Sequence, residues 1–276
     1  MLWILLLQVW ASCLWLGHSE VVTSFESSCP QFFYKNTPPN ITLQQQDRAL
    51  ICQWYKNQSF FATLYNKTGR IPVYSAYIYQ PASGNRTQTW MVEPQLIRSN
   101  FTKEMETESN LNKTEHVTPE QIGQNQAISM DYDKLNCWER GHLNPNGHHN
   151  TNDSRIATFT LTNAVPQNSS LNRGNWRVYE QKTMKENNKD CINNTTYVIV
   201  GAVPGNTFIP NKRVNVPSHI WSSACCQTNN SMKAWGAIAA NNQSQVTVLT
   251  LRQLEGNLTE LYGKGNVSLF HSDCPR

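Results

Sequence analysis

Charge is scarce in this chain. Asp, Glu, Lys and Arg make up 15% of its 276 residues, and none of them falls within residues 1–19. The formal net charge of +4 therefore belongs wholly to the remainder. So mild a positive balance helps a polyanion approach without identifying one. Past the opening segment no apolar run is long enough to cross a bilayer, so no stable membrane insertion is expected there. Repeats, low-complexity tracts and a linker are all missing, which leaves one domain over 20–276 as the simplest organisation. Zinc-finger spacing is missing too: no cysteine pair shows it, and the adjacent His148 and His149 side chains point different ways.

What is present begins with an export signal. Leu2 to Leu16 is nearly unbroken apolar sequence followed by Gly17-His18-Ser19, the pattern of a secretory signal peptide (1–19) cut near Ser19/Glu20. It departs from the usual form in having no Lys or Arg ahead of the apolar core. Asn-x-Ser/Thr sequons stand at Asn40, Asn57, Asn66, Asn85, Asn100, Asn112, Asn152, Asn168, Asn193, Asn194, Asn229, Asn242, Asn257 and Asn266. Their density predicts a secreted, extracellular glycoprotein. Cys13 would leave with the signal. Cys29, Cys52, Cys137, Cys191, Cys225, Cys226 and Cys274 would remain in an oxidising compartment. That odd set leaves one thiol free or paired between chains, with oligomeric state open, and the adjacent Cys225 and Cys226 suggest two separate disulfides.

Ile71–Tyr79, rich in β-branched and aromatic residues, predicts a strand, as do Ala157–Thr162, Thr196–Val200 ending at Gly201, Val246–Leu251 and Lys233–Ala240. Helical pattern is confined to Thr118–Ser129 and to Leu171 through about Lys185, where Trp176 is expected to pack the helix on the sheet. The class is α+β with a mainly antiparallel sheet. Polar Asn100–Lys113 reads as a surface excursion.

Glu139-Arg140-Gly141-His142-Leu143-Asn144-Pro145, expected in a loop, sets a potential general base beside a cation. Neutral His142 can accept a proton near pH 7, best with its other ring nitrogen held by a carbonyl or carboxylate. Arg140 offers a fork of donors suited to phosphate oxygens. Asn172 carries a hard amide oxygen that suits Mg²⁺, an ion that keeps its waters and takes few protein ligands. On one regular helix Asn172 and Glu180 lie about 12 Å and roughly 80° apart. Glu180 would then accept hydrogen bonds from the ion's water shell instead of touching the ion. Asn163 could orient His142 or the substrate. Taken singly, each has a blander reading: a structural histidine, a helix cap, a solvated carboxylate and a turn residue.

The three runs Glu139–Pro145, Thr162–Gln167 and Leu171–Glu180 together resemble the DNA/RNA non-specific endonucleases with a ββα-metal (His-Me finger) active site. Ile71–Tyr77, Trp90–Pro94, Ala157–Asn163, Gly201–Pro204 and Cys225-Cys226 bring the likeness nearer to the vertebrate endonuclease domain-containing 1 proteins. The resemblance implies hydrolysis of phosphodiester bonds in DNA and RNA. It makes His142 the general base, Asn172 the metal ligand, Glu180 the water-holding carboxylate and Asn163 the auxiliary amide. Mg²⁺ is the expected cofactor, with Mn²⁺ as a substitute. Where the family has Asp, this chain has Glu139, one methylene longer, and the equivalence of Lys182 and Lys185 to the family's later basic residues is not fixed by the pattern. A second expectation follows from Glu139: a catalytically weakened, nuclease-like glycoprotein that binds nucleic acid or a protein partner.

Overall fold

The computed structural model describes residues 20–84, 86–87, 89–133, 135–192, 195–209 and 212–276. The expected signal peptide and the sequon asparagines 85, 193 and 194 lie outside the described residues. In chain order the strands are β1 (Val21–Val22), β2 (Arg48–Tyr55), β3 (Gln58–Asn66), β4 (Ile71–Ile78), β5 (Trp138–His142), β6 (Ala164–Asn168), β7 (Thr196–Val203), β8 (Thr207–Ile209), β9 (Val214–Val216), β10 (His219–Gln227), β11 (Met232–Ala240) and β12 (Thr247–Leu249). Eight form one antiparallel sheet in the order β1-β2-β3-β4-β7-β10-β11-β12, while β5–β6 and β8–β9 are separate pairs.

Both faces of the sheet are covered. One carries Tyr77, Val198, Val200, Ile220 and Ala224 against Leu143, Leu171, Trp176 and Tyr179. The other carries Val73, Tyr74, Ile199 and Trp221 against Phe25, Phe33, Phe270 and Leu251, Leu254 and Leu258 of the helix Leu251–Tyr262. Burial on both sides explains why the central strands read as apolar runs instead of alternating sequence. Successive side chains of a strand face opposite ways, so Cys225 and Cys226 on β10 belong to opposite layers. Cys225 bonds Cys274 and Cys226 bonds Cys191, while Cys29 bonds Cys52. Cys137 is the free, exposed thiol among the described residues.

Several sequence expectations are corrected. β7 does not stop at Gly201 but runs on to Val203. A Cβ at Gly201 would lie 2.2 Å from Trp221 Cζ2, so this glycine makes room for an aromatic ring inside the strand instead of ending it. Ala157–Thr162 is no strand: it closes the helix Asn152–Ala157, touches Met91 by one bridge at Thr160 and turns through a 3₁₀ segment, Leu161–Asn163. Its alternation is deceptive because the threonines are buried as well, Thr158 donating to the Arg155 carbonyl and Thr160 and Thr162 to the Glu93 carboxylate. The helix expected over Thr118–Ser129 is a single turn, Pro119–Ile122, started by a capping box between Thr118 and Gln121 and capped at Gly123. Beyond it the Gln126 side chain exchanges hydrogen bonds with the Glu93 backbone. The stretch Asn100–Lys113 is not a surface excursion: Phe101, Met105 and Leu111 are core residues, the last on the helix Glu108–Glu115.

Candidate active site

The Glu-Arg-Gly-His run forms β5, paired with β6 in the register Glu139↔Gln167, Arg140↔Pro166, Gly141↔Val165 and His142↔Ala164, not the loop expected of it. Gly141 is needed where the two strands meet. A Cβ there would lie 2.2 Å from Gln167 Oε1 and 2.5 Å from its Cβ. Residues 143–163 separate β5 from β6 in sequence, and the paired strands form one ββα unit with a helical segment over 169–187 that follows β6 directly. Its far end is fixed to the main sheet by Cys191–Cys226.

This segment is not a regular α-helix. Two wide turns of π type interrupt it, Asn172–Trp176, kinked by non-helical backbone at Gly174 (φ −97°, ψ −120°), and Tyr179–Thr183. Its buried residues are Leu171, Trp176, Tyr179 and Met184, and the two five-residue steps between them each span one π turn. Bonding from i to i+5 keeps such residues on one face, and π-bulges of this kind concentrate at functional sites. The regular-helix separation expected between Asn172 and Glu180 therefore does not hold. Trp176 is wholly buried and tilts against Tyr179 at 5.5 Å, as its packing role requires.

His142 ends β5 half-buried between aromatic rings, Trp90 at 4.8 Å and Phe159 edge-on at 4.6 Å. Burial, reinforced by Arg86 and His149, pushes its pKa down to about 3, so the ring is neutral at physiological pH. Its Nε2 is buried without a hydrogen-bond partner, so the expected carbonyl or carboxylate anchor at that nitrogen is absent among the described residues. Packing, not hydrogen bonding, orients this ring.

Asn172 Nδ2 donates to Glu139 Oε2 at 2.9 Å, and Glu139 also pairs with Arg173. Glu180 is half-buried, and desolvation raises its pKa to about 8 although Trp176 and Arg86 partly offset the rise. Beneath it His148 bridges two elements, Nδ1 to the Tyr77 hydroxyl at 2.9 Å and Nε2 to the Glu180 backbone carbonyl at 3.0 Å. His149 turns elsewhere, to Asn144 Oδ1 at 2.7 Å. Each histidine thus has a distinct protein partner.

His142, Arg140, Glu139, Asn172 and Glu180 all line one open cleft of about 1460 Å³, joined on its walls by Arg86, Arg173, Arg177, Lys185 and Lys189. Lys182, also considered at the sequence level, is not among the lining residues. Arg140 is stacked between Trp90 and Tyr132, 5.5 and 5.6 Å from their ring centres, and donates to the Ser129 carbonyl. Asn163 does not reach the cleft. It is fully buried, accepts from Ser75 Oγ and Asn144 N through Oδ1, and donates from Nδ2 to the carbonyls of Asn144 and Thr158. It fixes the backbone leaving His142 instead of touching the ring. Sequence reasoning missed Arg86 and His148. Arg86 sits in no motif, and its only sequence signal was its charge; His148 was visible but weighed solely as a zinc ligand.

Among the described residues no three His, Cys, Asp or Glu side chains converge, so any ion here depends on few protein ligands. The donors suit Mg²⁺ on those terms. Asn172 commits its amide nitrogen to Glu139, which turns the oxygen of that amide into the available ligand atom, and Glu180 is a cleft carboxyl with no ion-pair partner among the described residues.

Comparison with known proteins identifies the family and the fold. Residues 42–265 match the DNA/RNA non-specific endonuclease family. The human endonuclease domain-containing 1 protein is 34% identical over 222 residues, 79% of this chain and 42% of the relative. Its mouse counterpart is 32% identical over 257 residues, 89% and 47% respectively. The chain thus spans under half the length of these relatives. Among solved structures, the crystal structure of the EndoG/EndoGI complex, which concerns the mechanism of EndoG inhibition, matches with a TM-score of 0.53 at 17% identity, covering 80% of this chain and 86% of that one. The fold is accordingly of the ββα-metal nuclease type, and the chain belongs to the DNA/RNA non-specific endonuclease family.

Proposed function

We propose that the chain is a metal-dependent endonuclease that hydrolyses phosphodiester bonds within DNA and RNA. The observation that carries this reading is the gathering of a neutral His142, the Asn172 amide and the Glu180 carboxyl in one cleft walled by arginines and lysines. His142, uncharged, takes a proton from the attacking water. Arg140 and Arg86 offset negative charge on the phosphoryl oxygens, and the basic wall draws the polyanion in. Asn172 Oδ1 would hold Mg²⁺, or Mn²⁺ in its place, with Glu180 accepting hydrogen bonds from the ion's water shell. The chemistry such an ion supplies when bound is charge stabilisation at the phosphoryl and leaving oxygens. Phe159 and Trp90 hold the His142 ring at the cleft wall, while Asn163 and His148 fix the backbone on either side of the site.

Secretion accords with the three disulfides, and no helix among the described residues is long and apolar enough to cross a membrane. The test is cleavage of supercoiled plasmid and single-stranded RNA by the purified chain, in Mg²⁺ or EDTA, beside His142→Ala. Loss of a positioned base costs roughly 10²- to 10⁴-fold. Undiminished cutting by His142→Ala would refute the assignment.

A further inference from the structure

A second polar cluster lies behind the site and outside the cleft. Glu20 and Glu93 are both fully buried, one just before β1 and the other ahead of the 3₁₀ turn Pro94–Leu96. Burial first, and then the Glu93 carboxyl, raise the Glu20 pKa well above the usual carboxylate range. Both oxygens of Glu20, and Oε2 of Glu93, are buried without a hydrogen-bond partner. Glu93 Oε1 takes the hydroxyls of Thr160 at 2.6 Å and Thr162 at 2.7 Å. Gln53, also wholly buried on β2, donates Nε2 to that same Thr162 hydroxyl at 2.9 Å, while its Oε1 is likewise unpartnered. Four oxygens on these three buried side chains therefore lack a donor among the described residues. No Lys, Arg or His among the described residues forms an ion pair with either carboxylate. Glu104 adds further negative charge to the field.

Buried carboxylates persist when a cation or several donors compensate them, and this cluster offers acceptors in excess of donors. We propose that Glu20, Glu93 and Gln53 form a buried cation site that ties the N-terminal strand to the turn behind His142. The stretch 158–163, whose Thr160 and Thr162 donate to Glu93, carries Phe159 against the His142 ring and Asn163 against the backbone of Asn144, so the cation would brace the active site without entering it. Two sources share this chemistry. An oxygen-seeking divalent ion of the Ca²⁺ class accepts such carboxylate and amide ligands. Alternatively, hydrolysis of the Ser19–Glu20 peptide bond, the expected signal cut, frees an amine that takes a proton from solvent. That ammonium forms at Glu20 N, which already donates to Gln95 Oε1 at 2.9 Å.

The test uses the purified secreted chain, with Glu93→Gln, Glu20→Gln and Asn172→Ala beside it. Each is equilibrated with Ca²⁺, then with EDTA, and weighed by native mass spectrometry. A divalent source predicts one ion retained by wild type and by Asn172→Ala but missing from the two glutamate variants, with a thermal midpoint that falls in EDTA for wild type. An ammonium source predicts no such ion, a chain beginning at Glu20, and an α-amine that resists reductive methylation until the chain unfolds. Wild-type protein with neither the ion nor a protected amine overturns the proposal and leaves a carboxyl pair sharing a proton. The wild-type readings need no variant to fold. Retention of the ion by Asn172→Ala also separates this site from the nuclease reading, which can fail independently.

Discussion

Asn172 and Glu139 are joined by one hydrogen bond of 2.9 Å that decides which end of the Asn172 amide faces solvent. Glu139 acts as a positioning residue, holding the nitrogen so that the oxygen is presented. Glu139→Gln, which can offer its own amide in either sense, should weaken Mg²⁺ dependence about 10- to 100-fold, the usual cost of losing a group that orients a ligand. Raising Mg²⁺ should restore much of the rate, since the loss is in affinity. Glu139→Asp withdraws the carboxylate by roughly 1 Å or more and should also lower activity. Cleavage that instead rises sharply from near zero in Glu139→Asp would favour the weakened-nuclease reading.

Gly141 tests how closely β5 and β6 must approach. Gly141→Ala drives a methyl into Gln167 and should cost about 1–3 kcal/mol of stability by overpacking. Activity should fall further than stability, because His142 is the next residue. Gln167 has no hydrogen bond from its buried side-chain amide, so trimming it is cheap. Gly141→Ala with Gln167→Gly, which removes the Cβ contact as well as the Oε1 contact, should recover part of the urea midpoint and of plasmid cleavage. A double variant no better than the single one would show that the glycine is required for another reason.

The contrast between Asn163 and Arg86 shows what a sequence can carry. Glu139–Pro145 and Leu171–Glu180 each hold their site residues within one short run, so they announce the site directly. Asn163 was equally visible, yet its part in the site depends on four hydrogen bonds to distant or backbone atoms, and no local pattern encodes those. Arg86 reaches the cleft from a segment more than fifty positions earlier, through folding alone. The π turns left a trace in the five-residue spacing of Leu171–Trp176 and Tyr179–Met184, which a 3.6-residue period cannot accommodate. Central strands were legible from composition. The Thr158–Thr162 stretch misled because buried threonines with buried partners imitate a half-solvated strand.

His148 should make stability depend on pH in a definite direction. Burial pushes its pKa down to about 4 in the folded chain, against about 6.5 when unfolded. The unfolded state therefore binds a proton that the folded state refuses, so its contribution is full above about pH 6.5 and is lost as pH falls toward 4. The slope is roughly 1.4 kcal/mol per pH unit within that window. His148→Gln removes this dependence and adds a constant penalty for the lost Tyr77 and Glu180 contacts. Urea unfolding of both proteins in EDTA from pH 4 to 8 should show the wild-type advantage shrinking on the acid side. An advantage that is flat across the range would contradict a neutral, buried His148.

Arg86 supplies the last prediction. It is exposed in the cleft, packs over Phe159 at 5.4 Å, and its charge acts on both His142 and Glu180, lowering each pKa. A cation so placed lies beside the proposed base and beside the carboxyl that would face the metal, where the proposed reaction would bring a phosphoryl group. Arg86→Ala should therefore reduce kcat/KM on plasmid and RNA by roughly tenfold or more, the size of one lost charge-assisted contact. Arg86→Lys should recover part of the loss, because a lysine keeps the charge but not the bidentate fork. Circular dichroism and the urea midpoint should hardly move, since the side chain is outside the core. Equal kcat/KM for wild type and Arg86→Ala, measured at saturating Mg²⁺, would remove Arg86 from the reaction.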